Sequence, residues 1–189
     1  MGDYTVIADV SASLVKLLRD QMTPDPIPQP ELIGLASPVD KGDLYLSLFL
    51  YSIRESGDNR RNQMVSRGVG ELQYPPMAVE LGYLLTVQSP AELQSRALDE
   101  HRILGRAMQV LYDHSILRGS MTVGTLAERD EEVRIVLDNA PGTSMLQMWN
   151  FADTPYRLTL SYTVGPVSID STRIKTTKRV LERDFRIQG

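Results

Sequence analysis

Residues able to do chemistry are few in this chain, and their spacing works against them. The only histidines are His101 and His114, thirteen positions apart. On one helix that spacing leaves them about 140° out of alignment, so they cannot share a metal ion from one helix face. The run Asp99-Glu100-His101-Arg102 looks superficially like a nucleotide-hydrolysis box. It has no phosphate-cradling loop of the G-x-x-x-x-G-K-[ST] kind to serve, so it reads as an exposed turn of helix. Gly68-Val69-Gly70 does not open a helix at the spacing a phosphate site needs. Ser11 and Ser13 have no histidine nearby in sequence to activate a hydroxyl, and a triad would have to be assembled across the fold. There is no cysteine, which excludes thiolate zinc sites, disulfide scaffolds and cysteine nucleophiles. The 24 acidic residues supply pairs by chance alone. Trp149 with Met145 and Met148 fits the packing of a short helix better than a ligand box. The expectation is a protein that is not an enzyme and uses no cofactor or metal.

The elements around these residues are well specified. At 189 residues the chain suits one domain, or one domain with a tail. Ile7, Val10, Leu14, Leu17 and Leu18 recur at helical spacing, with Asp3 or Thr5 as the N-cap and an end before Pro24. TPDPIPQPE then forms a stiff extended connector that allows neither helix nor central strand. Leu32–Ala36 fits a short strand. Leu44–Ile53 is strand-like and apolar on both faces, as in a central strand of a covered sheet or a strand buried at an interface. The polar run RESGDNRRNQMVSRGVG reads as a long, exposed hairpin loop. Val79, Leu81, Tyr83, Leu85 and Val87 alternate with more polar residues, the pattern of a half-buried strand. A helix follows from about Ala91 or Ala97 to His114, with Leu104, Ala107, Met108 and Leu111 on one face and Ile103 and Val110 widening it. Val133–Leu137 is a further strand, Asn139–Gly142 a turn, and SMLQMWNFA a short helix. Tyr156–Val164 is the clearest strand, bent at Gly165-Pro166 and continued by Val167 and Ile169. The tail TTKRVLERDFRI fits strand spacing through Leu181, Phe185 and Ile187, and helix spacing through Val180, Leu181, Asp184 and Phe185. The sum is an α+β fold: a largely antiparallel sheet, one long helix, an N-terminal helix and a short helix.

Charge divides the chain. The net charge is −4, yet residues 173–189 hold six basic residues against Glu182 and Asp184, so the body carries an excess of acid. That division suits a chain that docks on a copy of itself or on an acidic partner, or one whose edge strand carries charge to block aggregation. An acidic body repels phosphate, so nucleic acid is not expected as a partner. MGDYTVIADV lacks the basic and apolar regions of a signal peptide. The most apolar stretch, Leu44–Ile53, is too short to span a bilayer. These features predict a soluble, cytoplasmic protein without direct membrane insertion. They also predict a body of residues 1–172 and a basic segment 173–189 that is either an interface arm or an internal strand.

Several segments, in order, carry a resemblance. They are VIADVSASLVKLL, LFLYSIRESGDNRRN, PPMAVELGYLLTV, EHRILGRAMQVLYDH, VRIVLDN, the MWN helix and PYRLTLSYTVGPVSIDS, together covering most of residues 4–170. The chain resembles the cap or tail-terminator proteins of extracellular contractile injection systems, phage-tail-like particles of the antifeeding-prophage type. The resemblance implies a fold like that of contractile-phage tail terminators. It also implies a six-fold ring at the baseplate-distal end that stops growth of the inner tube and joins its end to the sheath. Its partners would be copies of itself, the inner tube protein and the sheath protein, and no catalytic residue carries over. Alternatives from other classes are an adaptor tethering the particle to a membrane or other cell structure through partners, and a hydrolase using His101 or His114. Candidate subunit or sheath contacts are Lys175, Lys178, Arg179, Arg183, Phe185 and Arg186, with Arg60, Arg61 and Asn62 as candidate loop contacts.

Overall fold

The structure is a computed structural model that describes residues 4–40, 42–57, 63–68, 70–129, 131–139, 149 and 155–176. Its elements, in order, are α1 (Val6–Met22), β1 (Ile33–Leu35), β2 (Leu46–Glu55), β3 (Val65–Gly68), β4 (Glu71–Gln73), β5 (Met77–Val87), α2 (Leu93–Asp113), β6 (Ile116–Leu117), α3 (Gly124–Arg129), β7 (Val133–Leu137), β8 (Thr159–Ile169) and β9 (Ile174–Thr176). Single 3₁₀ turns lie at Pro30–Leu32 and Gly119–Met121. Six strands form one sheet in the order β1-β2-β5-β8-β7-β6, antiparallel except for the parallel pair β1–β2. The fold is thus the largely antiparallel α+β arrangement expected from the sequence.

One face of this sheet holds the core. Val6, Val10, Leu14, Leu17, Leu18 and Met22 form the buried stripe of α1, at the spacing that keeps one side of a helix in register. They join Leu46 and Leu48 of β2, Leu81, Tyr83 and Leu85 of β5, Val164 of β8 and the α2 stripe Ile103, Leu104, Ala107, Val110 and Leu111. Ile27, inside the proline-rich connector, is fully buried in the same cluster, and its N–H donates to Met22 O at 3.1 Å. Thr5 stands at the α1 N-cap without a side-chain cap bond, and Asp3 lies outside the described residues.

Several expectations are corrected. β5 is closed on both faces rather than half-buried, because Leu84 and Thr86 on the second face are buried as well. Gly82 makes this possible: a Cβ there would lie 2.9 Å from the Tyr51 ring, so only glycine lets that ring lie against β5. Leu50 packs against the core but stays half-buried, and the β2–β5 register shifts between Leu50 and Ser52. Ile53, further along β2, is exposed. Met108 turns partly to solvent on α2. The polar run after β2 is not one long loop: Val65–Gly68 pairs with β4, and β4 pairs with β9, giving a second, three-stranded antiparallel sheet. Pairing across strands, not composition, decides such short strands. The clearest predicted strand starts at Thr159 rather than Tyr156 and runs on through Gly165-Pro166 to Ile169. Trp149 is buried and meets the edge of Tyr156 at 5.7 Å, whereas the rest of the predicted helix around it lies outside the described residues.

A candidate assembly surface

The residues singled out for chemistry hold the fold together. The Ser11 hydroxyl donates to Ile7 O at 3.1 Å and takes part in a 2.7 Å hydrogen bond with the Tyr83 hydroxyl, which ties α1 to the middle of β5. Burial pushes the Tyr83 phenol up to about 12, against a smaller opposing effect of that bond. The Ser13 hydroxyl donates to Asp9 O at 2.7 Å and accepts the Val123 N–H at 3.0 Å. Ser89 donates its hydroxyl to Asp99 and its N–H to Glu100 Oε1 at 3.2 Å, so the acidic pair of the apparent hydrolysis box anchors the corner before α2. His101 is exposed along α2. His114 is half-buried at the end of that helix, where its backbone N–H donates to Val110 O. Among the described residues, no group of three or more His, Asp or Glu side chains could hold a metal ion.

Asp9 links two helices. Its Oδ2 accepts the Thr125 N–H at 2.9 Å and the Thr125 hydroxyl at 2.6 Å, capping the start of α3 from α1. Gly124 directly before Thr125 has φ +60°, and a Cβ there would lie 2.3 Å from Asp9 Oδ1. Leu126 follows, fully buried in the core cluster.

Among the described residues, the small sheet is poorly covered. Every described residue of β3 and β9 is exposed, on both faces of those strands. It hangs from the body through β4. Gln73 is buried, accepts the Arg67 Nε–H at 2.6 Å on Oε1 and donates Nε2–H to Ser171 O. Tyr74 donates its N–H to Arg173 O at 3.0 Å, and the Arg173 guanidinium lies 4.2 Å over the Tyr74 ring. Below, Arg129 of α3 bridges Glu131 at 3.1 Å and Asp170 at 3.0 Å, bracing the end of β8 just before the chain turns into β9.

Of the sequence-derived contacts, Lys175 lies on β9, exposed and paired with Leu72. Lys178, Arg179, Arg183, Phe185 and Arg186 lie outside the described residues, as do Arg60, Arg61 and Asn62. What the structure joins are their flanks. β3, which follows the 58–62 segment, and β9, which leads into 177–189, are the two outer strands of one small sheet. The anchors Gln73, Tyr74, Arg129 and Asp170 were not visible in the sequence, because each depends on a partner brought close only by the fold. Among the described residues, no helix is long and apolar enough to cross a membrane.

Comparison with known proteins gives a consistent result. A family model described as the Pvc16 N-terminal domain matches residues 9–183. The fold is similar to the PVC sheath/tube terminator of an extracellular contractile injection system in its extended state, with a TM-score of 0.67 and 19% identity. That match covers 100% of this chain and 65% of the other. It is equally similar to the tube-terminating cap of the anti-feeding prophage, with a TM-score of 0.67 and 19% identity over 95% of this chain and 61% of that one. The chain thus spans less than two thirds of either solved protein. No curated protein matches its sequence.

Proposed function

Because the chain belongs to the Pvc16 N-terminal domain family, we propose that it is a structural cap of a contractile injection system. In this reading copies form a six-fold ring at the baseplate-distal end, stop growth of the inner tube and join its end to the sheath. The observation that carries it is the fold, shared over nearly the whole chain with two proteins that terminate such tubes. The role is structural and not enzymatic: its potentially reactive serines and the Asp99-Glu100 pair are engaged in holding α1, α2 and β5 together. Residues 1–172 supply the body of the cap and 173–189 an interface arm that leaves from β9. Lys175 and the basic residues beyond it meet a neighbouring subunit or the sheath, and Arg60, Arg61 and Asn62 add loop contacts. Partners are copies of the chain, tube and sheath, without nucleic acid and without direct insertion into a membrane, and the particle is assembled in the cytoplasm.

Electron microscopy of particles from a strain lacking this chain tests the proposal. Tubes and sheaths of irregular length, or sheaths that contract early, are expected. Stable particles of uniform length refute a terminator role.

A further inference from the structure

We infer that the groove between α1 and β1 is the seat for strand β9 of a second copy, so that copies join head to tail. The inference rests on the ring reading above and assigns the two surfaces that make the ring.

The seat is a groove of roughly 460 Å³, bordered by Val15, Lys16, Arg19 and Asp20 of α1 and by Gly34 and Leu35 of β1. β1 is an edge strand. Leu32 O accepts the Tyr45 N–H and the Ala36 N–H donates to Leu48 O, so alternate residues face β2 and the backbone of Ile33 and Leu35 points outward. Ile33 is already satisfied: its N–H donates to Pro30 O, and its carbonyl takes two bonds from the Arg19 guanidinium, at 2.9 and 2.7 Å. The outward backbone left to pair at this edge is that of Leu35, whose side chain is 53% exposed, with Val39 57% exposed close by in sequence. A partner can therefore add only a short strand contact here, and the rest of the fit must come from side chains.

Charge names the partner. Residues 15–43, which contain the groove and β1, hold five carboxylates against Lys16, Arg19 and Lys41, a net −2; Lys16 pairs with Asp20 at 3.2 Å, and Asp25, Glu31, Asp40 and Asp43 are exposed. The segment 173–189 has a net +4. On β9, Tyr74 binds Arg173 O, so the backbone of Ile174 and Thr176 points away from β4. Ile174 is 52% exposed, beside Arg173 and Lys175. Among the described residues, an apolar residue with outward-pointing backbone and basic neighbours on one surface thus matches an apolar residue with outward-pointing backbone in a region of net acid on the other. The two surfaces differ, so the contact is heterologous and copies continue around a ring instead of stopping at a two-fold dimer. Opposed charge fixes the direction of docking.

The absence of cysteine allows a direct test. The full chain carrying L35C and I174C is oxidised mildly, both free at high concentration and on purified particles. The expected result is a ladder of covalent oligomers on a non-reducing gel, ending at a closed ring, whereas each single-cysteine chain gives no ladder. In the double-cysteine background, D40K/D43K or R173E/K175E should each cut the ladder at least about tenfold, and all four changes together should restore it. Circular-dichroism melts confirm that every variant is folded. No ladder in either setting, single-cysteine chains that pair as dimers, or a four-fold variant that stays unlinked overturns the inference. Its failure is separable from that of the cap reading. Uniform tubes that need the chain but yield no ladder sink this contact alone, and a full ladder with tube length independent of the chain sinks the cap reading alone.

Discussion

The Asp9–Thr125 link offers the most searching test of how the helices are held. Replacing Asp9 with Ala removes the cap of α3 and a second, charge-assisted bond to the Thr125 hydroxyl. Losing a cap costs about 0.5–2 kcal/mol, and the second bond brings the total to about 1–3 kcal/mol. Gly124→Ala attacks the same place from the other side. Its left-handed backbone, φ +60°, costs an alanine roughly 1–2 kcal/mol. The new methyl also overlaps the Asp9 carboxylate and must push it off Thr125. That single change therefore carries the backbone cost and most of the cap loss together, about 2–4 kcal/mol. In the double variant the cap can be lost only once and the overlap has gone. The double should accordingly fall short of the sum of the singles by about 1–2 kcal/mol. Urea melts of the four proteins give the cycle. Additivity within about 0.5 kcal/mol would mean that carboxylate and glycine do not share one site, and the account of how α3 is pinned to α1 would be wrong.

Three other outcomes are expected. Leu48→Ala, at a fully packed position of β2, should cost about 2–5 kcal/mol in a denaturant melt, and a loss below about 0.5 would contradict its burial. The buried phenols of Tyr83 and Tyr162, both raised by burial to about 12, should ionise above the ordinary tyrosine pKa of 10 in an ultraviolet titration. Because the folded state holds these protons above the ordinary pKa of 10, stability is level below pH 10 and falls between pH 10 and about 12. A flat stability profile across that range would refute it. A chain ended after Ser171 loses β9 but keeps all six strands of the main sheet, so it should retain a cooperative circular-dichroism transition and, under the proposed cap role, cap poorly. Loss of the transition would show that β9 supports the body.

How much of this was legible follows from range. The α1 stripe and the alternation along β5 each lie within one element, and periodicity alone exposes them. The second face of β5 is different: Leu84 and Thr86 are buried there, which a single strand's pattern does not record. Ile27 sits among prolines that announce a connector, yet it is a core residue, since extended chain can still lay one side chain into a cluster. β3 and β4 have too few residues to show a period, and only their mutual pairing makes them strands. The anchors of the small sheet join residues as distant as Gln73 and Ser171, or Arg129 and Asp170, and no local signal marks such pairs. The excess of positive charge after residue 172 was plain from counting, whereas its acidic counterpart around β1 emerged only when the edge strand was located.

The closed edge at Ile33 limits what this side of the sheet can recruit. A sheet that ends in a long, unsatisfied strand is a template, and any similar strand that meets it extends the stack. Arg19 and Pro30 take up the outward backbone of Ile33 and leave the width of a single residue, too little to recruit strand after strand into a fibre. Copies can therefore crowd together without adding strand upon strand along this edge.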